Sequence, residues 1–277
     1  MLQSFLNGAH QQKVYTIITG ASHGLGEALA IESAKNGRHI ILLALPDSGL
    51  NETAKRIREN NYTDVLTYEL DLTQEQALYD FHDWTEKNGY QIDTLINNAG
   101  TGGSTHFAEA PADYLNTIIL LNIRALAILT RLFISELKRH DRAGILNVSS
   151  MAAFSPIPFK SVYPASKAFV YSFSIGLKEE LRGTNVSVSV LHPGPMATSE
   201  EIKVRMGKHG WLAKKSLIST ENMAKAAYKG MLSKRGVIIP GRLNRISMRL
   251  MALLPLSIKL PMLSRMFQRE LTVRHEI

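Results

Sequence analysis

Tyr163 and Lys167 stand four residues apart in the stretch YPASK, which opens an apolar helical pattern running to about Leu181. On a helix they lie one above the other on the same face. An ammonium held close to a phenol, whose ordinary pKa is near ~10, favours the phenolate, so the pair can trade protons near neutral pH. Pro164 is compatible with that helix because it falls in the first turn, where its missing N–H has no partner to lose. The bland alternative is an ordinary helix surface pair. Asn122 is a second candidate, set in the most apolar part (118–129) of a helical pattern that runs over 111–140. An amide there needs partners: it is a satisfied core group, a functional polar group, or a kink that holds water. Ser149-Ser150 follow the apolar run 144–148 and by themselves read as a turn or a helix cap.

The segment Thr19-Gly20-Ala21-Ser22-His23-Gly24-Leu25-Gly26 directly follows the β-branched run 13–18 and precedes a helical pattern that stops at Asn36-Gly37. In a strand–glycine turn–helix order the backbone can approach a pyrophosphate, and the helix N-terminus offers free N–H groups and a positive dipole end. The spacing is GxxxGxG, neither GxGxxG nor a P-loop. Further strands are expected at 38–44, 65–70, 94–96, 144–148 and 236–240, with helices at 49–61, from Tyr163 to Leu181, and from an N-cap at Thr220 to Lys234. Strands alternating with helices predict an α/β fold, a single doubly wound parallel sheet of Rossmann-like form with helices on both faces. Several strand ends carry small or polar residues (Asp71-Leu72-Thr73, Asn97-Asn98-Ala99-Gly100, Ser149-Ser150), and in such sheets ligands bind beyond the carboxyl ends.

Composition closes other routes. The 277 residues include no cysteine, which excludes disulfides and thiol chemistry, and the nine histidines show no HxxH or HxxxH spacing, so no metal site is expected. The net charge of +8 is uneven: 241–277 carry seven Lys/Arg and two Glu (+5), leaving 25 minus 22 (+3) for 1–240. No nucleic-acid-binding motif accompanies the charge, so no nucleic-acid partner is expected. Residues 1–12 lack the basic and apolar regions of a secretory signal, which makes a cytoplasmic protein the default.

Taken in order, these motifs resemble the short-chain dehydrogenase/reductase family in its single-domain form over about 13–240. The match rests on TGASHGLG at 19–26, NNAG at 97–100, Ser150 thirteen residues before Tyr163, YPASK, and PGPMAT at 193–198. The resemblance implies an oxidoreductase that moves a hydride between a nicotinamide cofactor and the carbonyl or alcohol carbon of a small to medium hydrophobic substrate. Tyr163 would be the general acid/base, Lys167 would bind the nicotinamide ribose and lower the phenol's pKa, Ser150 would hydrogen-bond the substrate oxygen, and Asn122 would hold a relay water. Gly20, Ser22, His23, Gly24, Leu25 and Gly26 would cradle the pyrophosphate. Asp71 and Leu72 would border the adenine, Asn98, Ala99 and Gly100 the adjoining ribose, and Pro193, Gly194, Met196 and Thr198 the nicotinamide. The end of the second strand, Ala44-Leu45, lacks the acidic residue of NAD-preferring relatives, with Asp47 set beyond Pro46, and this favours NADP(H) over NAD(H). A binder that senses the dinucleotide without turnover is the alternative.

Family substrate choice points to Met151, Phe154, Phe159, Met206 and Trp211, with 199–219 as a charged lid. Relatives pair through the helices near Pro111 and Tyr163, so a homo-oligomer is expected. Residues 1–240 are thus expected to form the dinucleotide-binding and catalytic domain, and 241–277 a basic amphipathic extension. There Leu243, Ile246, Leu250, Leu253 and Leu254 form an apolar stripe flanked by Arg242, Arg245 and Arg249, interrupted by Pro255 and Pro261. The stripe of 242–269 either lies on an anionic membrane surface or packs over the substrate pocket or a second subunit, packing being the commoner fate.

Overall fold

The computed structural model describes residues 13–60, 63–194, 196 and 217–274, with side chains through 268. Seven strands, β1 (Val14–Thr19), β2 (His39–Ala44), β3 (Val65–Glu69), β4 (Gln91–Asn97), β5 (Ala143–Val148), β6 (Val186–Leu191) and β7 (Val237–Ile238), form one sheet in the order β3-β2-β1-β4-β5-β6-β7. All neighbours run parallel. The chain winds outward from β1 in one direction and from β4 in the other, so the β1/β4 junction is the topological switch point where such sheets take their ligands.

Helices cover both faces, and this is why the strands read as near-continuous apolar runs. Helices α1 (Gly24–Lys35) and α2 (Leu50–Asn60) bury Leu29, Leu50 and Ile57 on one face, joined there by Met223 and Ala227 of α6 (Thr220–Leu232). On the other face α3 (Glu75–Lys87) contributes Leu78 and Phe81, α4 (Ala112–Leu137) Leu129 and Phe133, and α5 (Val162–Glu180) Leu177. Among the described residues α4 is the one helix long and apolar enough to cross a membrane. Its fully buried Leu129, Phe133 and Leu137 show what much of that apolarity serves, the core under the sheet.

Two elements, α3 and β6, are not among those expected from the sequence, although β6 alternates Val and Ser with the period of a strand. In β6 (VSVSVL) Ser187 donates to the Ala143 carbonyl at 3.1 Å while Ser189 is wholly buried, so serines replace the apolar run expected of a central strand. The α6 N-cap is Ser219 rather than Thr220, its hydroxyl accepting from the Asn222 N–H. After Gly241 come α7 (Arg242–Leu253) and α8 (Leu256–Arg274). Pro255 separates them as expected, but Pro261 lies inside α8. The carbonyl that loses its intrahelical donor there belongs to Ser257, which is exposed, so water can satisfy it.

Candidate active site

The carboxyl end of β1 turns through Gly20 (φ 63°) and Gly24 (φ 64°) into α1. A Cβ on Gly26 would stand 1.9 Å from the Gly20 carbonyl oxygen, so the turn closes this tightly only with glycine. Asn98 staples it: its side-chain amide donates to the Thr19 and Gly20 carbonyls at 3.0 and 3.1 Å, while the Asn98 and Ala99 N–H groups donate to the Thr19 hydroxyl. His23, the exposed N-cap of α1, makes no side-chain capping bond; its Nδ1 lies 2.9 Å from the Ser22 hydroxyl. The first N–H groups of α1 are therefore left without a side-chain cap at the switch point, which suits a phosphate. Leu25 is buried in the core, so only its backbone can take part.

The residues expected to react gather where β5 ends. Ser149 donates to the Lys167 carbonyl at 2.7 Å and the Lys167 ammonium donates to the Val148 carbonyl at 3.0 Å, tying the opening of α5 to the strand. Ser150 caps the short 3-10 turn Met151–Phe154, accepting from the Ala152 N–H. Its hydroxyl also meets the Tyr163 phenol, the contact expected of a serine and a tyrosine sharing one substrate oxygen. Gly100 and Gly102 roof this group. A Cβ on Gly100 would lie 2.9 Å from the Lys167 nitrogen, and one on Gly102 2.2 Å from the Tyr163 ring.

Asn122 lies in a π turn, Leu120–Ala125, within α4, an irregularity that concentrates at functional sites. Its amide donates to the Thr101 carbonyl and the Ser166 hydroxyl and accepts from the Thr101 N–H, all at 2.9 Å. Of the three sequence readings, the satisfied amide is the one these bonds describe.

Electrostatics corrects the sequence on one point. Burial pushes the Tyr163 phenol above its ordinary value, and the bond with Ser150 offsets only part of this. The expected lowering by Lys167 is not the dominant effect, because the ammonium is committed to Val148 and sits 5.9 Å from the ring centroid. Lys167 itself is pushed down from 10.5 to about 8 by burial. The unfolded chain therefore holds one more proton between those values, and stability rises with pH across that window. The expected gain is roughly 3 kcal/mol from pH 8 to 10.5 in denaturant titrations, absent in Lys167→Met.

Other sequence candidates also make contacts within the scaffold. Burial raises the Asp71 carboxyl, but hydrogen bonds from Thr73 and Gln74 outweigh it and hold the group below its ordinary value in a closed turn; Leu72 beside it is buried. Pro193 accepts from the Met151 N–H at 3.0 Å, and Met196 bridges to Ile218. Gly194 has a reason outside the cofactor: a Cβ there would come within 2.5 Å of the side-chain amide of buried Asn244 of α7. Phe159 adopts φ 64°, a strained region for a side chain, with its carbonyl bonded to the Thr105 N–H and its ring 5.1 Å from His106. Met151 is half-buried at the head of the 3-10 turn. Phe154 packs on His192 (4.4 Å) and Tyr171 (5.4 Å). It also lines a cavity of about 480 Å³ with Pro156, Ile157, Pro158, Pro164 and Leu260, which lies beside the Ser150–Tyr163 pair rather than on it. Thr198, Met206, Trp211 and nearly all of 199–219 fall outside the described residues.

His192 is the residue that sequence reasoning missed. It is wholly buried, donates from Nδ1 to the Ser150 carbonyl at 2.9 Å, and is pushed down to about 4 by burial, that bond opposing the shift. A neutral ring thus props the backbone of Ser150 from behind. A histidine between an apolar strand and a proline was the available signal.

A doubly wound sheet whose carboxyl edge brings together a glycine turn, a serine–tyrosine contact and a buried lysine is the layout of a nucleotide-fold oxidoreductase. The chain belongs to the short chain dehydrogenase family, whose sequence model it matches over residues 14–208. An uncharacterized oxidoreductase of Staphylococcus saprophyticus is 31% identical over 217 residues, 78% of this chain and 90% of the relative. Human 17-beta-hydroxysteroid dehydrogenase type 3 is 33% identical over 200 residues, 71% of this chain and 63% of the relative. Among solved structures, a short-chain dehydrogenase from Sphingobium yanoikuyae in complex with NADPH superposes with a TM-score of 0.72 at 28% identity, covering 88% of this chain and 96% of that one.

Proposed function

We propose that this protein is a carbonyl reductase or alcohol dehydrogenase for a hydrophobic substrate, with Tyr163 as the proton-transferring group. The observation that carries the reading is the contact between the Ser150 hydroxyl and the Tyr163 phenol over buried Lys167. A bound nicotinamide dinucleotide supplies or accepts the hydride. Ser150 hydrogen-bonds the substrate oxygen and steadies its growing negative charge. Tyr163, neutral because its pKa is raised, gives that oxygen its proton during reduction. In oxidation the same group must first lose its proton. Lys167, its ammonium 5.9 Å from the Tyr163 ring centroid, would bind the nicotinamide ribose. Ala44, Asp47 and the named human relative support the finer assignments: NADP(H) over NAD(H), and an apolar ketone or alcohol. The half-exposed Ile119 on α4 and Phe169 and Ile175 on α5 supply an apolar face through which two copies would pair.

Fluorescence titration with NADPH and NADH, followed by turnover of a panel of hydrophobic ketones, tests the reading. NADPH is expected to bind about tenfold tighter than NADH. Failure of both dinucleotides to bind would remove the proposal.

A further inference from the structure

We propose that the outward faces of α7 and α8 dock the protein on an anionic bilayer surface. The side of α7 that packs is not its apolar stripe. Asn244 is buried and Met248 and Met251 half-buried on the inner side, whereas Ile246, Leu250 and Leu253 stand 52%, 59% and 80% exposed at helical spacing. In α8 Lys259 and Leu263 are buried, and the adjoining row Ile258, Met262 and Met266 is exposed. Single exposed apolar residues need no explanation, but a row on each of two successive helices marks a docking surface.

Charge decides the occupant. Residues 241–268 hold Arg242, Arg245, Arg249, Lys259 and Arg265 and no acidic residue, and the four arginines are exposed. A second copy presenting the same face would set arginines against arginines, since a two-fold contact is self-complementary. An anionic lipid surface meets both properties, taking the apolar rows into the acyl boundary and the guanidinium groups among its headgroups. The helices also join the substrate side of the molecule. Asn244 packs on Gly194, Leu260 lines the cavity beside Phe154, and the Lys160 ammonium lies 4.5 Å over the Phe267 ring. A lipophilic compound dissolved in the bilayer would thus be held near the cavity beside Phe154.

The test is co-sedimentation of the full chain with vesicles of phosphatidylcholine alone and of phosphatidylcholine and phosphatidylglycerol in equal parts. Binding is expected to the mixed vesicles, to weaken with salt, and to be slight on phosphatidylcholine. Leu250→Asp/Leu253→Asp should lower the partition coefficient on the order of a hundredfold. Arg245→Gln and Arg249→Gln should each lower it about fivefold. Circular dichroism and NADPH titration should be unchanged in all these variants. The proposal is overturned if the wild type stays in the supernatant, or if the double aspartate variant binds as well. It is equally overturned if sedimentation equilibrium shows a dimer that this variant dissociates while no vesicle binding occurs. None of these readouts depends on turnover, so a failed enzyme reading would leave the result standing.

Discussion

Tyr163→Phe is expected to lower turnover roughly a thousandfold while leaving dinucleotide affinity within about twofold, the pattern of a lost proton donor in an intact site. The substitution keeps the ring that packs under Gly102 and removes only the hydroxyl that meets Ser150. The fold should therefore persist, and steady-state kinetics with a reducible ketone beside an NADPH titration would show the two effects apart. Unchanged turnover would assign the proton to another group. A chain that binds dinucleotide but never turns over, wild type or variant, would be a sensor rather than an enzyme. The raised phenol adds a pH signature. Because burial holds the proton on Tyr163, alcohol oxidation should climb through and beyond pH 8, whereas ketone reduction should not need that rise.

Gly26→Ala should have the second-largest effect. The new methyl would meet a main-chain oxygen at 1.9 Å and the Asn98 amide at 2.5 Å, and that amide is held in place by its bonds to the Thr19 and Gly20 carbonyls. Either the turn opens or α1 shifts along the sheet, at a destabilisation of about 1–3 kcal/mol. Thermal unfolding would report that loss, and NADPH binding should weaken by more than tenfold, because the phosphate cradle is the part deformed. Gly37→Ala is the control: it has a positive φ of 76° but no neighbour within 4 Å, so it should cost stability through backbone strain alone and spare the cofactor. If Gly26→Ala bound NADPH normally, the turn between β1 and α1 would not be the phosphate site.

Read by itself, the sequence determined the alternation of strands and helices, the glycine turn between β1 and α1, and the stretch that opens α5. These are local properties, carried by hydrophobic period, by residues that permit a tight turn, and by motif order along the chain. Strand β6 was legible too, since Val and Ser alternate along it with the period of a strand, but how its serines are accommodated in the core depends on partners such as the Ala143 carbonyl, contributed from a strand far away in sequence. Only the tertiary structure decided what the marked residues do to one another. Asn98 holds the glycine turn, Gly194 makes room for Asn244, and buried His192 supports Ser150. It likewise decided that Tyr163 is pushed up rather than down, and that the apolar stripe of α7 faces outward rather than onto the protein. A pKa depends on the burial and the hydrogen bonds around a group, and the face a helix buries depends on what it lies against. Both are set by neighbours that a linear pattern does not contain.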